Sequence, residues 1–130
     1  MKTLEEYIRE FEYQSIPAMK ISSKELIKIL PENNVQVIDI RFKEEYEVWH
    51  SSLLKNIPLN ELPNRLDELD KDKLIVTACP HSIRSNIAMH YLKTKGFNVK
   101  FLSDGLTTLL ASLLGGGALS LYNALEHEEK

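Results

Sequence analysis

The stretch that decides the fold is LIVTACPHSIRSNIAMHYL, residues 74–92. Its first five residues, LIVTA (74–78), form a continuous apolar and β-branched run, the pattern of a strand covered on both faces. From Ser85 the period changes. Ile87, Ala88, Tyr91 and Leu92 recur at helical spacing, the helix runs to Thr94, and Gly96 stands where a left-handed residue closes it. Cys79 is the first residue past the strand, and six residues (79–84) separate strand from helix. In open parallel sheets, ligands sit outside the carboxyl ends of the strands. A turn of this kind, at the positive end of a helix, gathers backbone N–H groups into an anion-binding cup. There a thiol is favoured as thiolate, its reactive form. Taken alone, a lone cysteine reads as a small core residue. Its place, followed by Pro80, His81, Ser82 and Arg84, favours a functional thiol that opens outward from the sheet rim.

Strands and helices alternate on either side of this segment. Upstream, residues 3–12 read as a short helix with Leu4, Tyr7, Ile8 and Phe11 on one face, suited to packing on the domain or covering a partner chain. AMKI (18–21) reads as an edge strand. Ser22 and Glu25 make a capping box for a helix carrying Leu26, Ile27 and Leu30, which Pro31 stops. VQVIDI (35–40) is a buried strand, 43–49 a polar helix and LLKNI (53–57) a short strand. Residues 60–69 predict a helix capped by Asn60, with Leu62, Leu66 and Leu69 in one stripe. Downstream, NVKFL (98–102) is the last strand and 106–114 the last helix. Short strands joined by crossover helices mean a mainly parallel five-stranded α/β sheet with helices on both faces. The expected organisation is a helical extension over 1–17, one domain over 18–114, and a helical extension over 115–130 hinged at Gly115–Gly117.

Composition narrows the classes. The chain has 130 residues, 43% hydrophobic and 27% charged, enough to bury one core. Sixteen Lys and Arg face nineteen Asp and Glu, and without a basic block the footprint of a nucleic-acid binder is missing. One cysteine rules out an intramolecular disulfide and fits a reducing compartment, and the mixed charges of MKTLEEYIREF argue against a secretory signal, so a cytoplasmic protein is expected. Residues 105–125 carry no charge and would be long enough to span a bilayer. Their Thr, Ser and Asn residues and the three glycines argue instead for two short apolar helices, so no membrane span is expected. After the hinge, Ala118, Leu119, Tyr122 and Leu125 make an apolar stripe that packs on its own domain, on a second copy in a homodimer, or on a carrier protein. Among the histidines, no two share metal-ligand spacing on one helix face, so no metal site is expected. His90 reads as partly exposed and His50 as a structural hydrogen-bonder.

Four segments in order resemble the rhodanese family of sulfurtransferases. Val37-Ile38-Asp39-Ile40-Arg41 is similar to the family's "lIDvR" strand, and His50 with Pro58 to its "GHIpGAinIPl" segment. Cys79-Pro80-His81-Ser82-Ile83-Arg84-Ser85 is similar to the "CrsGnRS" active loop, and Val99 to Leu106 to "vxxLxGGf". The resemblance covers residues 18–114 and implies the three-layer rhodanese-like fold. Departures fall on small residues. Trp49 replaces the Gly before the histidine, Leu53-Leu54 replace Gly-Ala, Ser82 replaces the loop Gly, Asp104 replaces the first of two glycines, and Pro80 removes one N–H.

The resemblance implies a two-step transfer without metal or organic cofactor. Cys79 attacks the outer sulfur of thiosulfate, a persulfide or a polysulfide. The resulting Cys79 persulfide, held by main-chain N–H groups of residues 81–84, passes sulfur to a thiol, to cyanide or to a sulfur-carrier protein. Pro80, His81, Ser82, Ile83 and Arg84 would form the persulfide-binding loop. His81 is either a substrate-facing side chain or an exposed turn residue. Arg84 is expected to draw in an anionic donor rather than to pair at the helix start. Asp39 and Arg41 would brace the loop through an ion pair. Phosphatases on a related fold place five residues between cysteine and arginine. Here four intervene, which suits a sulfane sulfur better than a tetrahedral oxyanion. Two other readings stay open: a sulfur-carrier or interaction module with little thiosulfate turnover, and an inactive docking domain, against which the retained Cys79 argues.

Overall fold

In the computed structural model, residues 1–113 are described. Five parallel strands form one sheet: β1 (Lys20–Ile21), β2 (Val35–Asp39), β3 (Lys55–Asn56), β4 (Leu74–Ala78) and β5 (Val99–Leu102), in the order β1-β5-β4-β2-β3. Strand β4 is central, paired with β2 over residues 74–78 and with β5 over residues 75–77. The expected parallel α/β architecture is therefore the observed one. The unbroken apolar run of β4 follows from this position, because both of its faces are covered. Ile75 and Thr77 point to one face, and Val76 and Ala78 to the other.

The helices divide between the faces. Helix α5 (Ser82–Thr94) packs Ala88, Met89 and Leu92 into a core that also holds Ile38, Ile40, Ile75, Cys79 and Val99. Helices α3 (Ser23–Ile29) and α6 (Gly105–Ser112) cover the opposite face, with Leu26, Leu106 and Leu109 against Val37, Val76, Ala78 and Leu102. Ser22 caps α3 through the expected reciprocal bonds with Glu25, and α3 passes into a 3-10 turn over Leu30–Glu32 at Pro31. Gly96 closes α5 at φ +89°, the left-handed conformation its place required.

Several expected elements differ, among them the edge strand at 18–21, which contracts to Lys20–Ile21. The helix at 60–69 is instead two 3-10 turns, Leu62–Asn64 and Leu66–Glu68. Arg65, at φ −130° and ψ 25°, leaves helical geometry between the two turns, while Pro63 sits inside the first of them, where its missing N–H costs nothing. The Leu62 and Leu69 stripe is nevertheless buried. The strand at 53–57 contracts to Lys55–Asn56. The helix expected from Ser85 begins three residues earlier, at Ser82. At the N-terminus, α1 (Leu4–Arg9) is followed by an unanticipated short helix α2 (Ser15–Ala18). Of the stripe Leu4, Tyr7, Ile8 and Phe11, Tyr7 alone is buried; its hydroxyl lies 2.7 Å from His90 Nδ1 on α5. His90 is partly exposed as expected, and burial, with a smaller effect from Lys93, pulls its pKa down.

Among the described residues, no helix is long and apolar enough to cross a membrane, and no group of three His, Cys, Asp or Glu side chains converges as a metal site. The glycine hinge at 115–117 and the stripe from Ala118 to Leu125 lie outside the described residues.

Candidate functional site

The turn after β4 lies in the middle of the sheet, beside the end of β2. The Ile40 N–H donates to Ala78 O at 3.0 Å, joining the two strand ends one residue before Cys79. Strand alternation directs Cys79 to the α5 face, in line with Ile75 and Thr77. Its side chain is 1% exposed, which corrects the expectation of an outward-opening thiol. The cover comes from the loop itself. The thiol donates to the His81 carbonyl, the Ser85 N–H donates to Sγ at 3.3 Å, and Ser85 Oγ lies 3.4 Å from Sγ.

Ser85 is therefore the residue that meets the sulfur, through backbone and hydroxyl together. It is fully buried, its Oγ donates to Ser82 O at 3.1 Å, and its carbonyl accepts from Thr77 Oγ1 at 2.8 Å. Sequence reasoning placed the contacting amides at 81–84. The structure puts the N–H on Sγ at Ser85, because α5 starts early and its first turn wraps the sulfur. Ser82, Ile83 and Arg84 are the first three helical residues, whose N–H groups lack intrahelical acceptors. Extended backbone at His81 (φ −118°, ψ 159°) leads into them. Ser82 is helical and Asn33 is the one non-glycine residue at positive φ among those described, so serine fits where the family carries glycine.

The opposite wall of the turn comes from the start of α6. The Leu106 N–H donates to Cys79 O at 2.8 Å. Gly105 has φ +85°, and a Cβ there would meet the Pro80 carbonyl oxygen at 2.4 Å. This glycine is retained for both reasons. Asp104 before it has φ −100° and needs no glycine. Its carboxylate accepts from the Ser23 N–H at 3.0 Å and from Ser23 Oγ at 2.8 Å, tying α6 to the start of α3.

Asp39 and Arg41 form the expected ion pair. Arg41 Nη2 lies 2.8 Å from Asp39 Oδ2, with both side chains almost wholly buried, and the Asp39 Oδ1 atom also accepts the Arg41 backbone N–H at 3.0 Å. The pair braces a different segment from the one expected. Arg41 Nη2 donates to Trp49 O at 2.9 Å and the guanidinium lies 5.5 Å from the indole centroid, so it secures the end of α4 (Lys43–Val48) rather than bonding to residues 79–84. Trp49 is extended (φ −159°), a conformation open to any residue where the family has glycine. His50 donates from Nδ1 to Tyr46 O at 2.8 Å and stacks on Tyr46, the structural role expected of it.

Arg84 departs from its expected role. Its Nη1 and Nη2 lie 2.5 and 3.1 Å from the two carboxylate oxygens of Glu45 on α4, and its guanidinium lies 5.5 Å from the Phe42 centroid. Hydrogen bonding to Glu45 raises the Arg84 pKa, and the same bond lowers that of Glu45. Glu45 went unnoticed in the sequence because it sits 39 residues from its partner inside a run of acidic residues. His81 is exposed, as an ordinary turn residue would be.

This geometry can be set beside known proteins. Residues 22–112 match the model of the rhodanese-like domain. Among curated relatives, the HTH-type transcriptional regulator Rv0324 of Mycobacterium tuberculosis is 34% identical over 92 residues, covering 69% of this chain and 41% of its own. The putative sulfur carrier protein YrkF of Bacillus subtilis is 31% identical over 83 residues, covering 64% of this chain and 44% of its own. The thiosulfate sulfurtransferase GlpE of Shewanella oneidensis is 28% identical over 85 residues, covering 65% of this chain and 84% of its own. This chain thus spans less than half the length of the first two. A rhodanese-related protein from Thermoplasma volcanium superposes with a TM-score of 0.62 at 25% identity, over 72% of this chain and 91% of its own. With its central-strand cysteine, the early helix start that wraps it and a family match over most of its length, this chain belongs to the rhodanese-like domain family.

Proposed function

We propose that the domain is a sulfurtransferase in which Cys79 takes up sulfane sulfur as a persulfide and delivers it to a thiol. The observation that carries this reading is the placing of Sγ at the first turn of α5, with the Ser85 N–H donating to it. A backbone donor on sulfur, next to helix-start amides, favours an anionic sulfur over a neutral one. Pro80, His81, Ser82, Ile83 and Arg84 make up the loop, with Asp39 and Arg41 holding the neighbouring strand end. Thiosulfate, persulfides and polysulfides are the donor class. The acceptor is a small thiol or a sulfur-carrier protein. The domain proper would span 18–114, with 1–17 and 115–130 as extensions, and a reducing, cytoplasmic setting suits its lone thiol.

A second reading is a sulfur carrier that passes on one sulfur per encounter, supported by the likeness to the putative sulfur carrier protein YrkF. One experiment tests both. The reduced protein is incubated with thiosulfate or polysulfide and weighed by mass spectrometry. A gain of one sulfur atom that disappears in Cys79→Ser is the expected result, and its absence with every donor overturns the proposal. Catalytic release of thiocyanate on adding cyanide identifies an enzyme. A single stoichiometric transfer to a protein thiol identifies a carrier.

A further inference from the structure

The charges beside the sulfur-bearing turn are paired or outnumbered. Arg84, the cation of the loop, is held at two points by Glu45. That carboxylate is itself positioned, since Glu45 Oε1 also accepts the Phe42 N–H at 3.4 Å. Arg41 is taken up by Asp39 inside the protein, and Lys43 lies 3.9 Å from Glu47. Counting Arg84 with residues 39–49, three cations face four carboxylates. The surface between them is apolar: Phe42 is 37% exposed, Trp49 54% and Ile83 73%.

This setting discriminates between donors that the general chemistry treats alike. Thiosulfate is a dianion, and the sulfite it releases is one too. An alkyl persulfide carries at most one charge and brings a group that can cover exposed Phe42, Trp49 and Ile83. We infer that Glu45 is a positioning residue that sets donor specificity: by engaging both guanidinium nitrogens of Arg84, it withholds the loop's cation from a dianion and selects a low-charge alkyl persulfide over thiosulfate. The inference rests on the sulfurtransferase reading of Cys79. In the selected step the Cys79 thiolate attacks the outer sulfur of R–S–SH. The new bond joins Cys79 Sγ to that sulfur, the old sulfur–sulfur bond breaks, and its electron pair leaves on R–S⁻. No oxidant or reductant enters, and the proton stays on the transferred sulfur.

The test compares kcat/KM for thiosulfate and for an uncharged-chain alkyl persulfide, with one acceptor, in the full chain and in Glu45→Gln. A unit charge acting on a dianion across a half-solvated rim is worth roughly tenfold in rate. The thiosulfate-to-persulfide ratio is therefore expected to rise roughly tenfold in E45Q at low ionic strength, and less in high salt. Adding Arg84→Gln to E45Q should remove the rise, because the freed guanidinium produces it. Damage to the fold would lower both rates together without this salt-dependent change of ratio, and Glu45→Ala is a second variant with the same expectation. An unchanged ratio in both variants, an equal rise in E45Q/R84Q, or a wild-type preference for thiosulfate overturns the inference while leaving the sulfurtransferase reading intact. Failure of both donors to load wild-type Cys79 overturns the inference and the sulfurtransferase reading together.

Discussion

Replacing Gly105 by alanine tests whether the start of α6 holds the cysteine turn in place. Two costs are separable there. At φ +85° an alanine carries left-handed strain of roughly 1–2 kcal/mol. Its Cβ would also stand 2.4 Å from the Pro80 carbonyl oxygen, a backbone atom that cannot swing aside as a side chain does. Forcing such an overlap apart costs roughly 1–3 kcal/mol more. Gly96 supplies the control, because its φ is +89° but a Cβ there would meet the end of the flexible Lys71 side chain at an ordinary 3.6 Å. Gly96→Ala should therefore cost roughly 1–2 kcal/mol. Gly105→Ala should cost roughly 2–5 kcal/mol, the strain and overlap together. For a domain of this size that difference separates the two melting temperatures by several degrees, read by thermal denaturation with urea titration as a check. Because the displaced peptide adjoins Cys79, persulfide formation should slow in G105A and not in G96A. Equal melting temperatures for the two variants would refute the reasoning.

Two further outcomes follow from the ion pairs. Asp39→Asn leaves Arg41 buried and short of a counter-charge, a change expected to cost about 3–5 kcal/mol and visible as a lower urea midpoint; a loss under about 1 kcal/mol would show that the pair contributes little. On the acid side, hydrogen bonding to Arg65, and then to Lys55, holds the Glu68 pKa at about 2 against an ordinary 4.5. A carboxylate depressed in the folded state stabilises above its unfolded pKa, and that contribution is lost as pH falls from about 4.5 through about 2. Glu68→Gln should flatten the acid limb of the urea midpoint in this window, and added salt should shrink the difference, since the pair is exposed. A limb that keeps its slope in E68Q would remove Glu68 from the account.

Much of the sheet was legible because each buried strand carries its own signal. The apolar run at 74–78 and the β-branched run at 35–39 declare double-sided burial without help from the rest of the chain. The capping box at Ser22 and the terminator at Gly96 are equally local. What escaped depends on partners distant in sequence. The early start of α5 places the Ser85 N–H on the sulfur, a contact no spacing rule encodes. Glu45 on Arg84 and Asp104 on Ser23 are pairings across 39 and 81 residues, visible only once the strands bring them together. Cys79 was legible as a residue of interest and not as a buried one. Its exposure is decided by which way the His81 carbonyl and the Ser85 side chain face.

That last point joins the buried sulfur to its chemistry. A carbonyl oxygen can accept from a thiol, but its negative end would repel a thiolate or an anionic persulfide at the same place. The His81 carbonyl stands at that place, against the Cys79 thiol. The Ser85 N–H, by contrast, donates to the sulfur and bonds an anionic one more strongly than a neutral one. The neighbours on both sides are held: Cys79 O by the Leu106 N–H, the Pro80 carbonyl by the close approach of Gly105, and α5 by Ala88, Met89 and Leu92 in the core. His81 itself is exposed and extended, and as the residue before α5 it turns its carbonyl toward the first turn of the helix. Gly105 thus bears on the setting of the sulfur as well as on stability, because it lets the start of α6 close against the turn that carries Cys79.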